Sequence, residues 1–180
     1  MIQVTGHTEG HDGTTGQDEA TVEAKRAKNT YRTAVGLLSR REHSYHELQH
    51  KLERKLKGEG CVSEIVTAVL DKLANEGLQS DERFTESYVR SRTMKGRGQM
   101  LIRNELQQRG VSDHLIARYL GSQDFDWVQM AAEARRKRFG DLLPEDITEK
   151  SRQTRFLQQR GFTHEQIRAV LVESSSSINN

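Results

Sequence analysis

Leu106-Gln107-Gln108-Arg109-Gly110-Val111 returns fifty-one residues later as Leu157-Gln158-Gln159-Arg160-Gly161-Phe162. The likeness continues past each glycine. A hydroxyl residue follows two positions on (Ser112, Thr163), an isoleucine at the sixth (Ile116, Ile167) and a leucine at the tenth (Leu120, Leu171). The same frame fits once more upstream, through Leu56, Gly60, Val66 and Leu70. Self-similarity at a period of about 50 residues is the mark of a repeat architecture. Each copy reads as helix, helix, glycine turn, helix, a three-helix unit with a helix-turn-helix flavour. The expected fold is therefore all-α: an elongated, curved array of three tandem three-helix repeats, each touching mainly its neighbours.

Composition agrees with that reading. Hydrophobic residues are 33% of the 180 and charged residues 30%, which is lean for one compact globule and suits small modules that each bury a stripe. There is a single proline and an abundance of straight-chain Glu, Lys, Arg, Gln and Leu, which lose little rotamer freedom in a helix. Cys61 is the only cysteine, so no intrachain disulfide can form and no zinc–thiolate cluster can be built. No apolar run approaches the roughly 20 residues that span a bilayer, and no basic-then-apolar leader is present. A soluble, cytoplasmic, monomeric protein is expected.

Taken in order, residues 1–24 hold five acids and no Lys or Arg, and are expected to be a disordered acidic tail. Repeat 1 is assigned to 25–79. Its first helix runs from near Ala24 to Arg41, with Ala34, Val35, Leu37 and Leu38 as its buried stripe. Ser44-Tyr45-His46-Glu47 reads as a capping box before a helix carrying Leu48, Leu52 and Leu56 on one face. Gly58 and Gly60 stop that helix, and Lys57–Gly60 reads as an insertion. Ile65, Val66, Val69, Leu70 and Leu73 line the third helix, which ends at Gly77. Repeat 2 is assigned to 80–122. Asp81 caps its first helix, Phe84, Tyr88 and Val89 point inward, and residues 94–98 form the turn to a helix with Leu101, Ile102 and Leu106. Repeat 3 is assigned to 123–173. Its first helix ends in Arg135-Arg136-Lys137-Arg138, Pro144 suits the first turn of the next, and Thr163-His164-Glu165-Gln166 is a second capping box. Residues 174–180 are a serine-rich tail.

Catalytic constellations are hard to find. Gly96-Arg97-Gly98 lacks the further glycine and the preceding strand of a phosphate loop. His43, His46 and His50 fall near one helical face, a spacing that could hold zinc in a hydrolase, although exposed histidines beside a cap explain them as well. Cys61 occupies the apolar turn position of Val111 and Phe162, so packing accounts for it. Glu145 and Asp146 open a helix and complement its dipole. No catalytic residue, cofactor or metal is expected.

Cations are the remaining signal. Arg83 to Gly110 contains seven basic residues against two acidic ones. Arg90, Arg92, Lys95, Arg97 and Arg103 gather around one inter-helix turn of repeat 2. Arg135, Arg136, Lys137 and Arg138 sit at the corresponding turn of repeat 3. Equivalent positions in stacked units can align as a stripe that neutralises phosphates or docks on an acidic protein surface. Tyr31, Tyr45 and Tyr119 could add stacking, although helix-face packing explains them too. Gln107, Gln108, Gln158 and Gln159 precede the glycine rather than follow the turn, so reading of bases by a stand-alone helix-turn-helix transcription regulator is the second expectation.

The order of motifs resembles the RecX family of bacterial recombination regulators. The residues that carry the likeness are Leu37-Leu38-Ser39-Arg40-Arg41-Glu42-His43-Ser44, Glu47-Leu48 with Lys51-Leu52, Gly77-Leu78 with Asp81-Glu82-Arg83-Phe84, Ser91-Arg92 with Lys95-Gly96, Ile102-Arg103-Asn104-Glu105-Leu106 with Gly110-Val111, and Arg155-Phe156-Leu157 with Arg160-Gly161-Phe162. They span about residues 31–172. The resemblance implies tandem three-helix repeats. It also implies binding to the RecA recombinase filament, with restraint of its ATPase, strand-exchange and coprotease activities in DNA repair, recombination and the SOS response. Direct contact with single- or double-stranded DNA is implied as a further possibility. The acidic extension and the Lys57–Gly60 insertion are departures from the family pattern.

Overall fold

In the computed structural model, residues 15–56, 62–121 and 125–172 are described. They form nine α-helices and no strand: α1 (Thr15–Leu38), α2 (Tyr45–Lys55), α3 (Val62–Asn75), α4 (Asp81–Met94), α5 (Gln99–Gln107), α6 (Asp113–Leu120), α7 (Trp127–Phe139), α8 (Ile147–Gln159) and α9 (His164–Val172). Extensive packing is confined to three successive triads, α1–α3, α4–α6 and α7–α9. Each triad owns an apolar core. The first is built on Ala34, Leu48, Leu52, Val66, Leu70 and Leu73. The second is built on Phe84, Val89, Ile102, Leu106, Ile116 and Leu120. The third is built on Ala131, Leu157, Phe162, Ile167 and Leu171. The all-α repeat architecture read from the fifty-residue period is the one observed.

The quoted stretch is the terminator of the second helix in its unit. Gly110 and Gly161 take φ of 73° and 88°, which L side chains disfavour. At each, the glycine amide donates to the carbonyl three residues back (Gln107, Gln158, both 2.9 Å). The next amide reaches Leu106 or Leu157 (both 3.2 Å). This is the Schellman closure, and it drops Val111 and Phe162 onto the same cores as those leucines. The hydroxyl residue two positions on then caps the third helix: Ser112 accepts from the Leu115 amide and Thr163 from the Gln166 amide. Gln166 also accepts from the Thr163 amide at 2.9 Å, completing a reciprocal capping box.

Several local expectations need correction. α1 begins at Thr15 rather than near Ala24, so residues 15–24 are helical and not part of a disordered tail. Its early turns lie on α3, where Ala20, Glu23, Ala24 and Ala27 face Glu64, Ile65 and Ala68. The stripe is alanine, a strong helix former that carries little hydropathy signal. Residues 1–14, the Gly58–Gly60 stop, Cys61, most of the Gly121–Asp124 link and the serine-rich tail lie outside the described residues. Ser80, not Asp81, caps α4, accepting from the Arg83 amide at 3.2 Å. Asp146 caps α8, which leaves Pro144 in the loop before it. At the Ser44 cap, the hydroxyl accepts from the Glu47 amide as expected, but the Glu47 carboxylate turns to Arg41, 2.5 Å away.

Candidate functional site

Successive units meet through one recurring contact. The start of a unit's second helix rests on the Arg-Gly turn of the next unit. At the first junction the Ser44 hydroxyl donates to the Arg109 carbonyl at 2.7 Å, and a Cβ on Gly110 would stand 2.6 Å from that of His46. At the second, the Gly98 amide donates to the Arg160 carbonyl at 2.7 Å and the Met100 amide to the Gly161 carbonyl at 2.9 Å. A Cβ on Gly98 would fall 2.5 Å from the Gly161 backbone, so the two units touch main chain to main chain. The glycines thus have two tasks, closing their own helix and seating the preceding unit.

Side chains reinforce the first junction. Asp81, displaced from the capping role, accepts from the Tyr45 amide (2.7 Å) and from Gln79 (2.9 Å), while Gln79 also donates to the His43 carbonyl. Glu42 pairs with Arg83 at 2.9 Å. His43 is buried, with Nδ1 2.9 Å from the Arg41 carbonyl and Nε2 2.9 Å from the Lys51 ammonium. Those partners require Nδ1 to carry the proton and Nε2 to accept, which makes the ring neutral. Burial lowers its pKa. The Arg41 and Lys51 charges act in the same direction, against the Arg41 carbonyl bond and Glu47. His43 therefore stands apart from His46 and His50, and no group of three potential metal ligands is found among the described residues.

The nine cations expected to form a docking surface divide into three groups. Two are taken up in bracing the fold, one buried and one half-buried. Arg135 is only 5% exposed; it donates to Gln153 at 2.8 Å and to the Leu142 carbonyl, tying α7 to α8 and their loop. Burial lowers its pKa. It is a buried brace and not a surface contact. Arg92 pairs with Glu105 (2.8 Å), donates to the Tyr88 hydroxyl (2.8 Å) and stacks on the Tyr88 ring with Arg109, joining α4 to α5. The Tyr88 bond is the main reason its pKa is raised.

A second group converges. Arg90 and Lys95 line a groove of about 630 Å³ with Arg83, Glu86, Ser91 and Met94. Lys95 and Met94 also line a cleft of about 340 Å³ whose far wall is Lys137, Glu133 and Arg160. Met94 is 78% exposed and stands where groove and cleft meet. Arg97 lies close enough to Arg160 for its charge to lower that residue's pKa, after burial, the larger cause. A third group is not drawn in. Arg103, Arg136 and Arg138 line neither groove nor cleft; Arg136 faces Asp141 at 4.0 Å and Arg138 lies over the Phe139 ring.

Two contributors were absent from the expected set. Arg160 bridges the units, donating to the Lys95 and Gly96 carbonyls at 3.1 and 3.2 Å while stacking on Phe156. Its signal was in plain view, since it is the arginine of the repeated stretch. Met94 had no signal, because a methionine at a helix end reads as core. The three tyrosines serve packing: Tyr31 bonds Glu76, Tyr45 bonds Asp71 and Tyr119 bonds Glu82, each joining the first or second helix of a unit to its third helix or that helix's end.

Residues 80–120 match the second three-helix domain of RecX, and residues 124–171 match its third. The regulatory protein RecX of Halorhodospira halophila is 45% identical over 137 residues, covering 76% of this chain and 83% of the relative. The chain belongs to the RecX family. The regulatory protein RecX of Chromohalobacter salexigens is 42% identical over 141 residues, covering 78% and 90% of the two chains. Among solved structures, RecX from Lactobacillus salivarius superposes with a TM-score of 0.68 at 22% identity, covering 84% of this chain and 98% of the other. A second, a regulatory protein RecX, gives 0.71 at 20% identity, with 91% and 80% covered. Identities that low carry the fold alone. The RecX name is that of a regulatory protein, and no described helix is long and apolar enough to cross a membrane.

Proposed function

We propose that this RecX-family chain binds the RecA recombinase filament and restrains its ATPase, strand-exchange and coprotease activities. The contact surface is the groove and cleft around Met94, with Arg90, Lys95, Arg97 and Lys137 as its cations. The observation that carries this reading is the continuity of that surface across the junction of the second and third units. An exposed apolar side chain sits at its centre, with cations that lack an ion pair among the described residues. Such a surface suits an acidic protein face: the methionine supplies adaptable apolar contact, and the charges steer and set register. A series of linked units can touch more than one filament subunit, and each added contact is then intramolecular.

The rival reading, a stand-alone transcription regulator, needs a third helix that reads base edges. The exposed positions of α6 are Asp113, His114, Ala117 and Arg118, and those of α9 include His164, Glu165 and Arg168. Each offers one arginine and no exposed Asn or Gln for bases, Arg118 is paired with Glu82 at 2.9 Å, and Asp113 and Glu165 oppose phosphates.

The test is RecA ATP hydrolysis on single-stranded DNA with the wild type and with Lys95→Glu/Lys137→Glu. Both lysines are exposed, and neither ammonium group has a hydrogen-bonding partner among the described residues, so the variant should melt like the wild type. Inhibition should weaken by tenfold or more, and wild-type inhibition should fade as salt rises. Full inhibition by the variant removes this surface from the mechanism.

A further inference from the structure

Lys51 and His43 form a pair that the Met94 surface does not use. The Lys51 ammonium donates to Nε2 of the His43 ring at 2.9 Å. The ring is 2% exposed, and its Nδ1 proton is committed to the Arg41 carbonyl at 2.9 Å. Nε2 therefore carries a lone pair aimed at the ammonium nitrogen. The lysine's other partner is weak: Glu47 stands 3.6 Å away and is turned to Arg41. With its side chain 31% exposed, Lys51 joins a buried base to solvent.

The exposed side of Lys51 opens on a groove of about 460 Å³. Arg54 and Lys55 line it with Lys51, Thr33 and Leu37 of α1 complete it, and no carboxylate is among its lining residues. Arg54 and Lys55 are exposed and have no ion pair among the described residues. A helix C-terminus favours cations in its last turn, which accounts for those two. It does not account for a third cation set on a neutral imidazole.

An ammonium group has no lone pair, so a lysine attacks an acyl carbon only as it gives up a proton. A base already in hydrogen-bond contact with that proton is the geometry such a step needs. Burial holds the pKa of His43 below its ordinary value, which keeps the ring in its proton-accepting form at neutral pH. A phosphate held beside the nitrogen by Arg54 and Lys55 would carry an acyl carbon one bond from its own oxygen. That describes an acyl phosphate. In a coenzyme A thioester the acyl carbon lies far along a chain from the nearest phosphate, and the same cations would hold the wrong end.

We propose that Lys51 is a modification site, acylated by small acyl phosphates that Arg54 and Lys55 hold in the groove, with His43 Nε2 as the base. The lysine nitrogen bonds to the acyl carbon as one of its protons passes to Nε2 and on to solvent. The bond from that carbon to the phosphate oxygen breaks, and its electron pair leaves with the phosphate. The second ammonium proton goes to the phosphate, which departs as hydrogen phosphate. Glu47 lends negative charge to the imidazolium that forms in passing. The product amide cancels one of three like charges along the groove. It does so beside the first junction, where the His43 carbonyl accepts from Gln79 and the Ser44 hydroxyl donates to the Arg109 carbonyl. The site stands apart from the RecA reading, because it is tested on the chain alone.

The experiment is incubation of the full chain with acetyl phosphate, followed by peptide mass spectrometry that gives a rate for each lysine. Lys51 should be acetylated at least threefold faster than Lys95 and Lys137, whose exposed ammonium groups have no hydrogen-bonding partner among the described residues. A smaller ratio would overturn the site. His43→Gln, which stays neutral and offers no base, should lower the Lys51 rate at least threefold and leave the two reference lysines unchanged. An unchanged Lys51 rate in that variant would leave the imidazole without a role and sink the proposal. Arg54→Gln, an exposed substitution, keeps the test decisive if the His43 variant unfolds. It should lower the Lys51 rate at least threefold with acetyl phosphate and leave the rate with acetic anhydride, which has no phosphate, unchanged. Equal losses with both reagents, or a loss with neither, would remove the phosphate cradle and the proposal with it.

Discussion

His43 shows how far a single side chain can be from its first reading. In the sequence it belongs to a run of three histidines with plausible metal spacing. In the fold it is a neutral, buried ring between the Arg41 carbonyl and the Lys51 ammonium. Its lowered pKa has a definite sign for stability. The unfolded chain takes up the proton near the ordinary value of 6.5 and the folded chain does so only at lower pH. The unfolded state therefore binds more protons, and stability falls as pH drops through that window. Glu47 adds a second loss at lower pH. Burial pushes its carboxyl up, but the Arg41 hydrogen bond and the charges of Arg41, His43 and Lys51 outweigh this and hold it below its ordinary 4.5. Urea unfolding at about pH 7.5 and about pH 5.5 checks the first window. His43→Gln should shrink the difference between the two midpoints, and an undiminished difference would place its origin elsewhere.

At the scale of the helix, caps and terminators were the most legible features. Ser44, Ser112, Thr163 and the two repeated glycines act where pattern put them, because capping chemistry is local and needs only a few consecutive residues. Asp81 and Pro144 were misplaced by one to three positions for the same reason: several neighbouring residues suit a first turn, and tertiary partners choose among them. Asp81 is taken by Tyr45 and Gln79, which leaves the cap to Ser80. The fate of Arg135 was illegible. A run of four cations cannot reveal which one turns inward to Gln153 on a helix eighteen residues away. The dual role of Ser44 can be measured. Ser80→Ala should cost about 1 kcal/mol, as a simple cap does. Ser44→Ala should cost about 2 kcal/mol, because the same hydroxyl also holds the Arg109 carbonyl of the next unit. Equal losses in thermal unfolding would mean that the inter-unit bond contributes nothing.

For the whole molecule, the period alone was enough to expect three units in series, because a repeat length survives when individual motifs do not. How the units join was not legible, since nothing in Gly96-Arg97-Gly98 says that a glycine in ordinary backbone geometry is needed for close approach rather than for a turn. Gly98 has φ of −85°, which any residue adopts, yet its Cβ position is filled by the Gly161 backbone. Gly140 has φ of 84° and open space around it. Gly98→Ala should therefore force the second and third units apart, costing about 1–3 kcal/mol and changing the small-angle scattering profile. Gly140→Ala should cost about 1–3 kcal/mol of local strain and leave the profile unchanged. A shared profile would show that the junction yields without rearranging.

The two peptide-to-peptide bonds that Gly98 and Met100 make with the Arg160–Gly161 turn involve no side-chain atom. With the Arg160 guanidinium on the Lys95 and Gly96 carbonyls as its side-chain supplement, the gauge between the second and third units is written largely in the main chain, and most substitutions on either surface leave it untouched. Evolution can then repaint the exterior, trading one clientele for another, while the pitch of the array is passed on unaltered. Likeness of shape persisting at about one-fifth identity is what such a joint would produce.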